Sequence, residues 1–290
     1  MKKRSVLVVA VSLFAAGSLA WADDLPWEMK LPFKEAAIQY ELTGSEQGKE
    51  TLYVKDYGQR RAEHHKATTM VMGMSNPSET LELTDPDWIT TYNLIDKTGE
   101  KTSNPRKIYQ AEYNKFSAAE KKNFEKNAKE LGAGMMGSFG GSVKQKAEKV
   151  LGYDCDVAAI GGGMSTVSMI HNTDVPLRSE VSVMGMKSAN VAIKVDTGAV
   201  PDSAFAPPAG ITAVFNQEAE TMMTGMVQQA MDTLKQPDGA KKMQQMGQSM
   251  VPGGMQQGME AEGISKEDQQ AMMQQMQEAM QQMQQVKPQQ

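Results

Sequence analysis

The amino-acid composition changes abruptly at Gln217, and this change limits which part of the chain can form a hydrophobic core. Residues 217–290 hold 14 of the 25 methionines, are dense in glutamine and contain no aromatic residue. Such a segment buries too little apolar surface to offset the chain entropy lost on folding. We therefore expect one β-rich domain over residues 23–215 and a Met/Gln-rich tail over residues 216–290, which forms helical segments or is disordered.

The first 22 residues have the pattern of an export signal. Basic residues 2–4 precede an apolar run, and Ala20-Trp21-Ala22 fits the small-x-small rule for cleavage. The apolar run is shorter than the roughly 20 residues that a membrane-spanning helix needs. These features predict cleavage after Ala22, a periplasmic location and no integral membrane segment in the mature protein.

The only cysteine is Cys155, so an intramolecular disulfide is excluded and the core must hold the fold. Asp154 and Asp156 flank it, and their negative charge raises the pKa of a thiol, which favours a core thiol over a nucleophile. The formal net charge is −5 and no basic cluster is present, which argues against a nucleic-acid partner.

Short strands separated by turn residues dominate the chain up to residue 96. Residues 51–55, 59–72, 80–83 and 88–95 have strand character, and Asn76-Pro77-Ser78 is expected to break the run between the second and the third. The segment 117–131 differs, because Ser117 and Glu120 form a capping box and Gly132 follows at the position of a helix stop. It predicts a helix between two groups of strands.

After a glycine-rich stretch, residues 143–150 favour a short helix, and strand patterns return at residues 153–160, 166–171, 177–184 and 189–195. Residues 201–208 form an irregular closing segment. This order predicts an α+β fold, a curved antiparallel sheet forming an unclosed β-barrel, with helices on its concave side.

Several short motifs carry a resemblance to a known family. They are the hairpin residues Tyr53-Val54-Lys55 and Arg60-Arg61, and the runs at residues 150–155, 175–180 and 202–210. Over about residues 35–215 the chain resembles an exported bacterial family related to the lipoprotein-localisation (LolA-like) fold. The resemblance implies an unclosed antiparallel barrel whose concave face, plugged by helices, is apolar and suited to acyl chains.

The sequence Val-Met-Gly-Met occurs twice, at residues 71–74 and 183–186. Residues two apart in a strand share a face, so these methionines can line one surface together with nearby valines. Methionine also fills cores without any further role. The predicted apolar ligand groove consists of Met70, Met72, Met74, Val181, Met184, Met186 and Val191.

Methionines in the tail recur every three or four residues and form stripes on a helix. Such a stripe is typical of a contact face for a protein partner, but thioether sulfurs also bind Cu(I), so copper remains an alternative cofactor. The candidate copper ligands are Met243, Met246, Met250, Met272, Met276, Met280 and Met283.

Catalytic motifs are absent from the sequence, which predicts that the protein is not an enzyme. Residues 132–137 match G-x-G-x-x-G, but the match follows a helix rather than a strand. His64 and His65 are adjacent and point to opposite faces of a strand. The predicted function is binding of a hydrophobic small molecule or lipid in the periplasm. Copper binding and a scaffold role through the C-terminal helices are the alternatives.

Overall fold

The computed structural model describes residues 30–71, 74–138, 142–160, 164–183 and 186–249. The predicted export signal and the chain after residue 249 lie outside the described residues. The strands are β1 (Ala36–Gly44), β2 (Glu46–Lys55), β3 (Arg60–Val71), β4 (Met74–Thr84), β5 (Trp88–Asn93), β6 (Thr98–Ser103), β7 (Ser142–Val150), β8 (Tyr153–Ile160), β9 (Ser165–Ile170), β10 (Pro176–Val183), β11 (Met186–Asp196) and β12 (Ala213–Phe215). The helices are α1 (Pro105–Asn114), α2 (Ala118–Ser138), α3 (Gln217–Leu234) and α4 (Gly239–Ser249).

All twelve strands form one sheet in the order β12-β6-β5-β4-β3-β2-β1-β11-β10-β9-β8-β7. Among the strands of the described residues, only the pairing of β12 with β6 is parallel. Within the part of the chain that the structure describes, β7 and β12 each have a single neighbouring strand, so the sheet is unclosed. The predicted α+β class with an unclosed, mostly antiparallel sheet is confirmed.

The sheet curls strongly toward one face. Arg61 on β3 contacts Asp174, in the turn between β9 and β10, at 2.7 Å. Four strand spacings separate β3 from β10, or about 19 Å in a flat sheet. An arginine and an aspartate cannot span that distance, so the sheet must bend toward Arg61. We call the face that carries Arg61 the inner face, and the other the outer face.

The largest apolar cluster includes the inner face of β1 and β2. Directly opposite residues of antiparallel strands share a face, and Val54 lies opposite both Arg61 and Ala36. The buried members include Ile38 and Tyr40, and the cluster extends to Cys155, Ile170 and Leu177. On the outer face, Ala62, Leu81 and Tyr92 form a second cluster, against which Phe205, Ile211 and Ala213 pack.

The helices form a third cluster of their own. Phe116 and Phe124, next to and within α2, pack with Val227, Met231 and Leu234 of α3. Asn127 of α2 donates hydrogen bonds to the carbonyl oxygens of Leu234 and Gln236 and so caps the end of α3. The compact unit extends to Met243, past the boundary predicted after residue 215. Aromatic residues of the earlier chain supply the apolar surface that the tail lacks.

Three local predictions are wrong, each for an identifiable reason. The backbone of α2 continues past Gly132 to Ser138, because a glycine weakens a helix by about 1 kcal/mol without ending it. Residues 142–150 form β7 rather than a helix, and the lysines of that segment suit an edge strand. Asn76-Pro77-Ser78 lies inside β4, where β5 has not yet begun to pair and proline is tolerated as on an edge.

Other local predictions are confirmed. Ser117 and Glu120 form the predicted capping box, in which the Ser117 backbone N–H donates to the Glu120 carboxylate at 2.8 Å. Residues 217–234 of the Met/Gln-rich segment form α3. The strands β1 and β6 and the helix α1, with its Asn104 cap, had no counterpart among the predictions.

None of the helices in the described ranges is both long and apolar enough to cross a membrane.

Integration of α3 into the folded unit is testable with two methionines of the same helix. Met231 is 1 % exposed and Met226 is 62 % exposed. Met231→Ala should lower the free energy of unfolding by about 2–4 kcal/mol, because it leaves a cavity between α2 and α3. Met226→Ala, the matched control, should change it by less than about 0.5 kcal/mol. Urea unfolding measures both, and equal effects would contradict the packing of α3.

Candidate functional site

The methionines of the β3–β4 hairpin do not share a face. Met70 lies opposite Ser75, whereas Met74 lies opposite Val71, so Met70 is on the outer face and Met74 on the inner face. The chain reverses direction between them, and the two-residue periodicity of a strand does not continue through a turn. Met72 lies outside the described residues.

The second half of the predicted groove is divided in the same way. Val181 lies opposite Ser188 on the inner face, and Val191 lies opposite Arg178 on the outer face. The backbone of Met186 pairs with that of Val183, and Met184 lies outside the described residues. Among the described groove residues, Met70 and Val191 lie on the outer face and Met74 and Val181 on the inner face, so these four are not brought together on one surface.

The candidate copper ligands fall mostly outside the described chain. Met243 is half-buried and packs against the apolar cluster formed by α2 and α3. Met246 lies within α4. Met250, Met272, Met276, Met280 and Met283 lie outside the described residues. In the described ranges, no group of three or more His, Cys, Asp or Glu side chains is placed to hold a metal ion.

The inner face carries a group of ionisable side chains that the sequence analysis did not single out. Glu63 lies directly opposite Glu82, and His65 lies directly opposite Glu50. Both pairs are on the inner face, because Glu63 and His65 are two and four residues beyond Arg61 in β3. We call Glu46, Glu50, Glu63, His65 and Glu82 the polar wall.

His65 is the best-connected member of the polar wall. Its Nδ1 atom lies 3.2 Å from the Glu50 carboxylate and its Nε2 atom 3.2 Å from the Glu46 carboxylate. The hydrogen bond with Glu50 raises the pKa of His65, against the opposing effect of burial. The imidazole is thus held between two carboxylates of β2 and favours its protonated form.

The carboxyl groups of Glu63 and Glu82 both have raised pKa values. Surrounding protein raises the pKa of Glu63 to about 8, and the charges of Glu50 and Glu82 add to this effect. Burial also raises the pKa of Glu82. Yet Glu63 has solvent-exposed surface. Glu63 therefore combines an exposed surface with close neighbouring carboxylates on the inner face of the sheet.

Asn190 of β11 adds an unsatisfied hydrogen-bond acceptor to this surface. Its amide nitrogen donates to the Glu50 carboxylate at 3.4 Å. Its Oδ1 atom is buried and has no hydrogen-bond partner within the described chain. A buried acceptor without a donor costs about 1–3 kcal/mol, so a ligand N–H or O–H at this position gains that amount.

The inner face becomes apolar toward the other end of the sheet. Asn190 lies opposite Ser179, Ser179 opposite Val167, and Val167 opposite Ala158, so all four share the inner face. Val167 and Ala158 are buried, and Val181, two residues from Ser179, is exposed. The inner face therefore has a carboxylate-rich half on β2–β4 and an apolar half on β8–β10.

The polar wall has a sequence signal that was overlooked. Glu50, Glu63 and Glu82 stand within runs of otherwise strand-forming residues, and each occupies the alternate positions that face inward. The sequence places carboxylates in strands but does not give the register that sets Glu63 against Glu82. That register comes from the hairpin turns.

The remaining predictions for ionisable residues agree with the structure. His64 points to the outer face, where its Nε2 atom lies 3.0 Å from the Ala204 carbonyl oxygen, so the two histidines do point to opposite faces. Cys155 is a buried free thiol. Burial raises its pKa, and Glu148, Asp156 and Asp154 add to the effect.

Comparison with known proteins identifies no family for the chain. No protein family model matches it, and no curated sequence matches it. One similar structure is an uncharacterized conserved protein from Thermus thermophilus, with 7% identity, a TM-score of 0.37 and coverage of 64% of this chain and 92% of that one. Another is PNGF-II, with 11% identity, a TM-score of 0.29 and coverage of 67% and 33%. Likeness at this level carries no conclusion about function.

Titration of Glu63 makes stability depend on pH in a defined direction. The pKa of Glu63 is raised in the folded state, so the folded state binds a proton that the unfolded chain has released. This contribution to stability is complete below about pH 4.5 and is lost as the pH rises to about 8. Glu63→Gln should therefore be increasingly more stable than the unmodified protein between pH 5 and pH 9, measured by urea unfolding.

The control for this titration is Glu41→Gln, which removes an exposed carboxylate from the outer face of β1. Its effect on the free energy of unfolding should vary much less with pH over the same interval. A Glu63→Gln variant whose stability difference stays constant from pH 5 to pH 9 would contradict the raised pKa.

Proposed function

We propose that this protein is a non-catalytic binding protein that holds an amphipathic ligand against the inner face of its sheet. The observation that carries the proposal is the division of that face into the polar wall and the apolar half on β8–β10. A ligand with an acyl chain and a cationic or hydroxyl-rich head matches both halves. The proposal keeps the predicted hydrophobic ligand and adds a polar head group.

The charge of the polar wall favours a cationic head group. Four carboxyl groups line it, whereas the basic groups facing them are His65 and Arg61, and Arg61 is already engaged by Asp174. A ligand ammonium group near Glu50, Glu63 and Glu82 relieves the repulsion among these carboxylates. It also supplies the donor that the Oδ1 atom of Asn190 lacks.

The apolar half accounts for binding of a hydrocarbon chain. Each buried methylene group contributes about 0.8 kcal/mol, and Val181 is the exposed apolar side chain of this half against which the chain lies. In this proposal the helices lie over the concave side of the sheet and shield the chain from water. The periplasmic location and the LolA-like relation, both predictions from sequence, are compatible with a carrier of this kind.

Binding of two fluorescent probes with the same chain length, a long-chain amine and a long-chain fatty acid, tests the proposal. Both probes are used below their critical micelle concentrations with the mature protein. The amine should bind more tightly than the fatty acid. Neutralising two carboxylates in Glu50→Gln/Glu82→Gln should weaken amine binding about tenfold, because two close charge pairs are lost.

The matched control is Glu41→Gln/Glu180→Gln, which removes the same charge from exposed positions on the outer face. Amine affinity should be nearly unchanged in this variant. Equal affinity for both probes, or equal losses in the two double variants, would refute the role of the polar wall.

The affinity for the amine should also rise with pH. Glu63, whose pKa is raised to about 8, loses its proton as the pH approaches that value, and the pKa of Glu82 is raised as well. An alkylamine keeps its charge up to about pH 10, as lysine does. Binding should therefore strengthen between pH 5.5 and pH 8, and Glu63→Gln should reduce this dependence. A pH-independent dissociation constant would contradict the mechanism.

A further inference from the structure

The two edge strands of the sheet differ in how they are protected against pairing with a further strand. At one edge, β7 carries Lys144, Lys146 and Lys149. A bulge interrupts its pairing with β8, and there Lys146 has a φ of 48° and donates its backbone N–H to the Asp156 carboxylate at 2.9 Å. Lysines and bulges are devices by which natural sheets keep an edge from adding a strand.

The other edge strand, β12, has neither lysines nor a bulge. Residues 203–216, which include β12, contain no charged residue, and β12 pairs with β6 without a register shift. Val214 is 66 % exposed and Phe215 is 38 % exposed. The Phe215 ring packs edge to face on the exposed Trp88, with 6.1 Å between the ring centroids. An uncharged edge with exposed apolar side chains favours pairing with another strand.

The backbone of β12 offers free hydrogen-bonding groups to such a strand. The N–H and C=O groups of one strand residue point to the same side, and successive residues alternate between the two sides. Asn216 donates its N–H to the Lys101 carbonyl oxygen of β6 at 3.0 Å. Val214, two residues earlier, therefore also faces β6, whereas the backbone groups of Ala213 and Phe215 point away from it. Within the described residues, no strand lies on that side of β12.

We propose that β12 pairs in antiparallel orientation with β12 of a second copy of this chain, about a twofold axis at Val214. In this register Ala213 lies opposite Phe215 of the second copy, and both residues present the groups that exchange hydrogen bonds. Each Phe215 ring then lies beside the smallest side chain of the other strand. Because opposite residues share a face, the inner faces of both copies lie on the same side of the joined sheet.

A second copy suits this edge because the edge is complementary to itself. A twofold axis brings each charge near it close to the same charge of the other copy, so a charged edge repels itself. Residues 203–216 carry no charge, and the adjacent residues of β6, Glu100 and Lys101, have opposite charges. The three residues of β12 limit the pairing to two residue pairs with two hydrogen bonds each. We therefore expect a reversible dimer.

This pairing goes beyond the proposed function, because it uses an edge of the sheet and not the polar wall. Neutralising the polar wall in Glu50→Gln/Glu82→Gln should leave the dimer unchanged. Loss of amine binding and loss of the dimer are thus separate results.

Sedimentation equilibrium of the mature full-length protein over a range of concentrations tests the pairing. The unmodified protein should show a reversible equilibrium between monomer and dimer. Ala213→Pro should weaken the dimer about tenfold or more, because it removes an outward N–H from each copy and places a ring between the strands. Proline is tolerated on edge strands, and the hydrogen bonds of Val214 and Asn216 with β6 remain, so the variant should stay folded.

The matched control is Ala209→Pro, which makes the same substitution four residues earlier. Ile211 donates its N–H to the Pro208 carbonyl oxygen at 3.3 Å, and Gly210 has a φ of 77°, which together indicate a type II turn. Ala209 occupies the second position of this turn, where proline is favoured. This variant should dimerise like the unmodified protein.

A second variant, Val214→Lys, tests the twofold axis through charge. It sets two like charges opposite each other, on Cα atoms about 4.5 Å apart, and should weaken the dimer as well. Its control is Ile193→Lys, at an apolar residue of β11 that is 50 % exposed. A protein that stays monomeric at every concentration would overturn the proposal. So would a dimer that Ala213→Pro and Val214→Lys leave unchanged, because another surface would then hold it together.

Discussion

The ion-pair group around Asp174 holds together the parts of the molecule that the candidate site requires. Its carboxylate contacts Arg61 of β3 at 2.7 Å and Arg106 of α1 at 3.0 Å. Burial opposes ionisation, but the two arginines hold the pKa of Asp174 below its ordinary value. One side chain thus connects the first half of the sheet, the second half and the helices. Removing one partner of such a group leaves an uncompensated charge, which is costly in a partly buried position.

The curl that this group maintains brings a carboxylate-rich strip and an apolar strip onto one concave surface. In a flat sheet Glu63 and Glu82 would be ordinary solvated carboxylates. On the curved inner face, burial raises the pKa of both carboxyl groups, and the charges of Glu50 and Glu82 raise that of Glu63 further. Above neutral pH, the ionised carboxylates therefore lower the free energy of unfolding. Groups with perturbed pKa values are concentrated at functional sites. The closeness of these carboxylates therefore explains both their unfavourable ionisation and the proposed binding of a cation.

The methionine motifs have a different meaning in the structure from the one that periodicity suggested. Periodicity along a strand predicted that Met70 and Met74 line one groove. The hairpin puts them on opposite faces but at the same end of the sheet, together with Met164. The described residues of both motifs lie next to turns that the antiparallel topology places at the same end of the sheet.

Much of the fold was predictable from sequence because its signals are local. Alternating strands, the Ser117 capping box and the buried Cys155 depend on neighbouring residues and emerged correctly. The faces on which His64 and His65 lie follow from strand geometry alone. The pairing of Glu63 with Glu82, the packing of α3 on Phe124 and the contact of Arg61 with Asp174 depend on register and on contacts between residues up to 113 apart. Only the tertiary structure decides these contacts. The sequence of a strand shows which residues share a face, but it does not show which strand pairs with it or in which register.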